Sequence, residues 1–205
     1  MAAGRRVVII DDDEAVLDSL RVLLEAEGLE VETFDRAAAF LTRVAGPPPG
    51  CLVTDVRMPD MDGLELLRAL AVRGPLPPVI VITGHGEVPL AVQAMRLGAR
   101  DFIEKPFDPL TMLASVRDAL SAAATPAATA DPEIRRRLER LTPREREVLE
   151  QLVIGRSNKM IARKLGISPR TVEIHRARVM EKMHAESLSQ LVRFAFTAGI
   201  DPNAP

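Results

Sequence analysis

Five short β-rich runs, VVII (7–10), VETF (31–34), CLVTD (51–55), VIVIT (79–83) and DFIEK (101–105), constrain the fold most strongly. Between and after them the apolar residues recur at helical spacing, over 14–28, 36–45, 63–74, 88–98 and 109–120. Strands alternating with helices in this way build right-handed βαβ crossovers around a parallel sheet. The runs 7–10 and 79–83 are the most apolar of the five, as strands covered on both faces are, and read as central. Such sheets carry their chemistry outside the carboxyl ends of the strands.

Beyond residue 120 the chain changes character. SAAATPAATADPE (121–133) is rich in Ala, Thr and Pro and poor in large apolar residues, which is linker composition. Asp131-Pro132 then opens a basic helix, EIRRRLERL. From 141 onward every apolar pattern is helical. Thr142-Pro143-Arg144-Glu145 has the form of a capping box, Ser157, Ser168 and Ser187 stand where caps belong, and Gly155, Gly166 and Gly199 close helices. IARKLGISPRTVEIH is helix, short turn, helix, the spacing of a helix-turn-helix. The expected organisation is therefore α/β plus all-α: a sheet domain over 1–120, a linker with a basic helix over 121–140, and a four-helix domain over 141–205.

Charge divides along the same line. Residues 1–130 hold 12 Lys and Arg against 19 Asp and Glu, whereas 134–205 hold 15 against 8. Only the second part suits a polyanion. The single cysteine, Cys51, excludes an internal disulfide framework and lies in an apolar run, as a small buried hydrophobe does. Arg5 and Arg6 lead into only four apolar residues before three acids, which is no signal peptide, and no apolar run nears the roughly 20 residues of a membrane span. The expected location is the cytoplasm.

Acidic and cationic side chains coincide at the strand ends. Asp11 and Asp12 follow the first strand, and Asp55 ends the third. A flavodoxin-like order, 2-1-3-4-5, makes those strands neighbours at the topological switch point. Carboxylates gathered in one cleft repel one another and call for a cation. Oxygen donors without His or Cys suit a hard ion, Mg²⁺ or Mn²⁺. Thr83 and Lys105 end the fourth and fifth strands. A carboxylate, a metal, a lysine and a hydroxyl together are equipped for phosphoryl transfer. Pro106 admits a cis bond after Lys105, which would aim the lysine inward. Arg57 and His85, each two residues beyond Asp55 and Thr83, are placed to restrict attacking water and so to set the lifetime of an acyl phosphate.

Winding 169–183 at 100° per residue puts Val172, Val179 and Met183 on one line, the core side. Arg170, Glu173, Ile174 and Ala177 lie on the other side, where the second helix of a helix-turn-helix meets base edges. Lys159, Thr171, His175, Arg176, Arg178 and Lys182 are candidates for phosphate contacts, with Ser168 at the helix start joining the same surface.

IIDDDEAV, TDVRMPDMDG, VITGHGEVPLAVQAM and DFIEKPF together resemble the receiver domain of bacterial response regulators over 5–120. LTPREREVLEQLVIGRSNKMIARKLGISPRTVEIHRARVMEKM resembles the four-helix LuxR/NarL/FixJ DNA-binding domain over about 141–200. The combination is most similar to FixJ-like regulators, whose best-known members control nitrogen-fixation genes in response to oxygen. The resemblance implies a phosphoryl acceptor at Asp55, served by a sensor histidine kinase. It implies Mg²⁺ ligated by Asp12, Asp55 and the carbonyl of Arg57, with Asp11 acting through water. Lys105 would contact the phosphoryl oxygens, Thr83 would move to the phosphate, and Phe102 would change rotamer with it. It further implies a phosphorylated homodimer that binds double-stranded DNA and engages RNA polymerase. Two other readings compete. A haloacid-dehalogenase-type phosphatase fits Asp11 and Asp13, but Ala15 replaces the expected Thr or Val and Asp55 is left unexplained. A DNA-binding protein sensing a small ligand would need an apolar cavity that an acidic cleft does not supply.

Overall fold

The computed structural model describes residues 6–43, 50–84, 88–122 and 132–200. The strands are β1 (Arg6–Ile10), β2 (Glu30–Phe34), β3 (Cys51–Asp55), β4 (Val79–Thr83) and β5 (Asp101–Glu104). They form one parallel sheet in the order β2-β1-β3-β4-β5, as the alternation of the sequence predicts. The helices between and after them are α1 (Glu14–Ala26), α2 (Ala37–Arg43), α3 (Gly63–Arg73), α4 (Val88–Arg96) and α5 (Pro109–Ala122). The remaining helices are α6 (Pro132–Glu139), α7 (Pro143–Val153), α8 (Asn158–Leu165), α9 (Pro169–Met183) and α10 (Leu188–Thr197). Packing divides the chain into two compact units, Met1–Gly86 with Arg96–Pro126, and Glu87–Met95 with Ala127–Pro205.

In the first unit β3 and β4 are buried at every position, which is why their sequences show no polar alternation. Val7, Ile9, Cys51, Val53, Ile80, Ile82 and Ile103 share one face of the sheet and pack with Leu17, Leu20 and Leu24 of α1 and Met112 and Val116 of α5. Cys51 is a core residue, and burial pushes its thiol up to about 12. Phe34 and Phe40 meet edge to face at 5.4 Å, tying α2 to β2.

The second unit begins earlier than its helical pattern suggests. Ile134 and Leu138 of α6 are buried with Val148, Leu152, Ile161, Val172, Val179 and Met183 in one core. The basic helix expected to belong to the linker is therefore a structural part of this unit. The expected caps are in place. Thr142 accepts from the N–H of Glu145 while Glu145 accepts from that of Thr142, and Ser157, Ser168 and Ser187 accept from Met160, Thr171 and Gln190. Gly166 takes the left-handed conformation that ends α8 and turns the chain into α9. The Asp131 cap and linker residues 123–131 lie outside the described residues. Among the described residues no helix is long and apolar enough to cross a membrane.

Candidate functional site

Strand register assembles the acidic cluster. Ile9 pairs with Val53 and Ile10 with Thr54, so Asp11 and Asp55 leave neighbouring strands at the same level. Asp55 pairs with Ile82, and Ile82 with Ile103, which extends the alignment to Lys105 two residues later. The ammonium of Lys105 donates to Asp11 Oδ2 at 2.6 Å and to Asp55 Oδ1 at 2.8 Å. Asp11 is 1% and Asp55 5% exposed. The Lys105–Pro106 bond is cis, as expected.

One cation thus faces two buried carboxylates. Burial raises the Asp11 pKa, against the opposing pull of Lys105 and of the Asp13 N–H. Burial also disfavours the Lys105 charge, but the hydrogen bonds and charges of Asp11 and Asp55 outweigh it and raise its pKa. The three successive acids have separate places. Asp11 is buried in the cluster, Asp12 is exposed, and Asp13 caps α1 through the Ala15 N–H while its own N–H donates to Asp11 Oδ1 at 3.0 Å.

The turn after β3 holds Asp55 from behind. The Arg57 N–H donates to Asp55 Oδ2, and the Arg57 side chain is exposed. Gly63 donates to the Val56 carbonyl at 2.9 Å, and a Cβ on it would stand 2.2 Å from the Asp55 carbonyl oxygen. That atom belongs to the backbone of a buried strand and cannot yield, so only glycine lets α3 begin there. In the sequence this glycine reads only as part of a turn.

Thr83 is 1% exposed, and its carbonyl accepts from the Lys105 N–H at 2.7 Å. It pairs with Glu104, and Phe102 pairs with Val81, so Thr83 and Phe102 share the sheet face opposite to that of Asp55. Phe102 is half-buried. His85 lies outside the described residues.

The donor set suits a hard divalent ion, because carboxylate oxygens here outnumber the cation that faces them. Among the described residues no three His, Cys, Asp or Glu side chains are gathered closely enough to close around one. Lys105 bonds both buried carboxylates, and Asp12 is exposed.

In the second unit α8 and α9 form the expected helix-turn-helix. Val172, Val179 and Met183 are fully buried, while Arg170, Glu173, Ala177 and Arg178 are exposed and Ile174 is 48% exposed. Lys159 and Ser168 are exposed, and Thr171 is half-buried with its hydroxyl 2.8 Å from that of Ser168. His175 is half-buried, and its Nδ1 is buried with no hydrogen-bond partner.

Two further candidates make hydrogen bonds within the unit. Arg176 is half-buried, and its guanidinium donates to Asn158 Oδ1 at 2.9 Å. Burial lowers its pKa, against the pull of Glu173. It joins α9 to the first turn of α8. Lys182 donates to Glu145 Oε2 at 2.6 Å and to the Arg140 carbonyl at 3.3 Å. Glu145 is 2% exposed, and burial alone would raise its pKa, but the hydrogen bonds of Lys182 and Thr142 prevail and lower it. Lys182 is thus bound inside the domain. Sequence shows the capping box of Glu145 but not this second partner, which comes from 37 residues away.

Residues 7–117 match the response regulator receiver domain, and residues 139–195 match the luxR family of bacterial regulatory proteins. The chain is 54% identical over 198 residues to the transcriptional regulatory protein FixJ of Azorhizobium caulinodans, covering 96% of this chain and 94% of that protein. It is 49% identical over 203 residues to FixJ of Bradyrhizobium diazoefficiens, covering 98% of each. The crystal structure of full-length FixJ from B. japonicum superposes with a TM-score of 0.54 at 50% identity, covering 96% of this chain and 98% of that one. The chain therefore belongs to the FixJ-type response regulators: it is a transcriptional regulator and not an enzyme, joining a receiver domain to a LuxR-type DNA-binding domain.

Proposed function

We propose that Asp55 is the phosphoryl acceptor of a two-component system and that its charge state governs DNA binding by the second domain. The observation that carries this reading is the shared lysine: Asp55 and Asp11, both buried, have one ammonium between them. An Asp55 oxygen attacks the phosphorus of a phosphohistidine on a sensor kinase, the P–N bond breaks, and the imidazole leaves with its electron pair. Lys105 is positioned to stabilise the phosphoryl oxygens. Asp11, Asp12, Asp55 and the carbonyl of Arg57 would hold Mg²⁺, or Mn²⁺ in its place, which supplies positive charge to the phosphoryl group when bound. Thr83 and Phe102, on the other sheet face, carry the change outward as Thr83 turns to the new acceptor oxygens. Arg57 and His85 set the rate at which the acyl phosphate is hydrolysed; an unchanged rate in His85→Ala would remove His85 from that role.

In the second domain Arg170, Glu173, Ile174 and Ala177 face the bases. Lys159, Ser168, Thr171, His175 and Arg178 meet the backbone. The phosphorylated protein acts in the cytoplasm as a homodimer on a two-fold-related site and engages RNA polymerase there. Its resemblance to FixJ-type regulators supports a role in controlling nitrogen-fixation or microaerobic genes. The test compares wild type with Asp55→Asn after treatment with acetyl phosphate and Mg²⁺. Phosphate uptake, dimerisation and promoter binding are all expected to vanish in the variant; normal uptake would refute the assignment of Asp55.

A further inference from the structure

On the winding of α9, Lys182 falls with Thr171 and Arg178 on a line about 100° from that of Arg170, Ala177 and Glu181. Side chains on such a flank reach the phosphates bordering a groove. Lys182 does not serve there, because its ammonium is bound to Glu145 and to the Arg140 carbonyl. What it holds is informative. Arg140 lies just past the end of α6 and is exposed. Its carbonyl is tied to the last turn of α9 by Lys182, and its neighbour Arg137 donates to the Met183 carbonyl at 3.2 Å. Ile134 and Leu138 anchor the same helix in the core. The backbone of Arg140 is thus held by Lys182, and the helix it follows is held by Arg137, beside the flank that carries Lys182. Guanidinium groups suit phosphate better than any other side chain, since their forked N–H groups match its oxygens.

We propose that Arg140 contacts a DNA phosphate on the Arg178 side of α9, and that Lys182 is the positioning residue that keeps it there. The DNA surface then extends beyond the helix-turn-helix onto the turn between α6 and α7. The inference rests on the reading of α8 and α9 as DNA-binding. A phosphate contact carries no sequence information, so its loss weakens binding to every duplex alike.

The test titrates the full chain, treated with acetyl phosphate and Mg²⁺, onto a labelled duplex of arbitrary sequence at several salt concentrations. Arg140→Ala is expected to weaken binding about 3- to 10-fold and to lower the salt slope by about one per bound protomer. Arg140→Lys is expected to retain the slope. Arg136→Ala removes the same charge from the face of α6 opposite Ile134 and Leu138, and is expected to match wild type. Lys182→Met is expected to lose the same single contact, and combining it with Arg140→Ala adds nothing. An Arg140→Ala slope equal to wild type, or equal losses in Arg136→Ala, would overturn the proposal. A double variant that loses two contacts would show that Lys182 itself touches DNA and is no positioning residue. A wild type that binds no duplex would defeat the DNA-binding reading itself, a result distinct from all of these.

Discussion

Lys105 in the first unit and Lys182 in the second each bring an ammonium within 2.6 Å of a buried carboxylate. Asp11 is 1% exposed and Glu145 2%, so the two bonds form in similar seclusion. They differ in balance. Lys105 serves a second carboxylate, Asp55, whereas Lys182 serves one carboxylate and one carbonyl. Glu145 also accepts the Thr142 N–H, so its charge is met by hydrogen bonds and by an equal opposite charge. The second arrangement is complete and locks helices together. The first holds an excess of negative charge at the strand ends, and excess charge in a buried place is where a cation or a phosphoryl group can change the energy most.

Removing the lysine tests this difference most severely. Lys105→Met leaves two buried carboxylates with no counter-charge, and the first unit is expected to lose about 3 kcal/mol in the absence of divalent ions. Mg²⁺ is expected to restore part of that loss, and Asp55→Asn on the same background most of it. The chain has neither Trp nor Tyr, so amide hydrogen exchange in β1, β3 and β4 is the suitable measurement. If Asp55→Asn restores nothing, the two carboxylates do not compete for the lysine.

The balanced pair responds in another way. Glu145→Gln keeps an acceptor for the Thr142 N–H but removes the charge facing Lys182. The second unit is expected to lose about 2 kcal/mol, seen as faster exchange in α7 and α9 with β1 and β3 unaffected. Adding Lys182→Met should recover part of the loss, since the unmatched charge is then gone. Asp55→Asn alone should have the opposite sign, a gain of about 1 kcal/mol in the first unit, because Lys105 then serves a single carboxylate. A loss of stability in Asp55→Asn would mean that the cluster is balanced after all.

Most of the framework of both units comes from local rules, and the exceptions have physical causes of their own. The period of apolar residues places β3 and α9, and Asp55 is legible because a largely apolar strand ends on an acid. Helical winding likewise places Val172, Val179 and Met183 in the core. Winding reports where a side chain leaves the backbone, not where a long one ends. Lys182 and Arg176 leave α9 at its flanks and reach back to Glu145 and Asn158, partners 37 and 18 residues away. The start of the second unit is obscured for a different reason. Ile134 and Leu138 are two apolar residues among four arginines, a pattern that composition assigns to a solvated linker helix. Gly63 is hidden because its necessity comes from the Asp55 carbonyl, which only the folded turn brings to it.

Acid gives the smallest and most selective test of the balanced pair. In the folded chain the Glu145 pKa is lowered from its ordinary 4.5, because the bonds from Lys182 and Thr142 overcome the cost of burial. A carboxyl held lower when folded binds its proton more readily in the unfolded chain. Its contribution to stability is therefore complete above pH 4.5 and is lost as the pH falls through the folded value. The stability difference between wild type and Glu145→Gln should accordingly be constant from neutrality down to that region and shrink below it. Urea unfolding followed by far-ultraviolet circular dichroism at successive pH values measures the difference, and other carboxyls that titrate identically in both proteins cancel. A difference that persists undiminished in acid would mean that Glu145 stabilises α7 as a neutral capping acceptor and that its charge pairing with Lys182 contributes nothing.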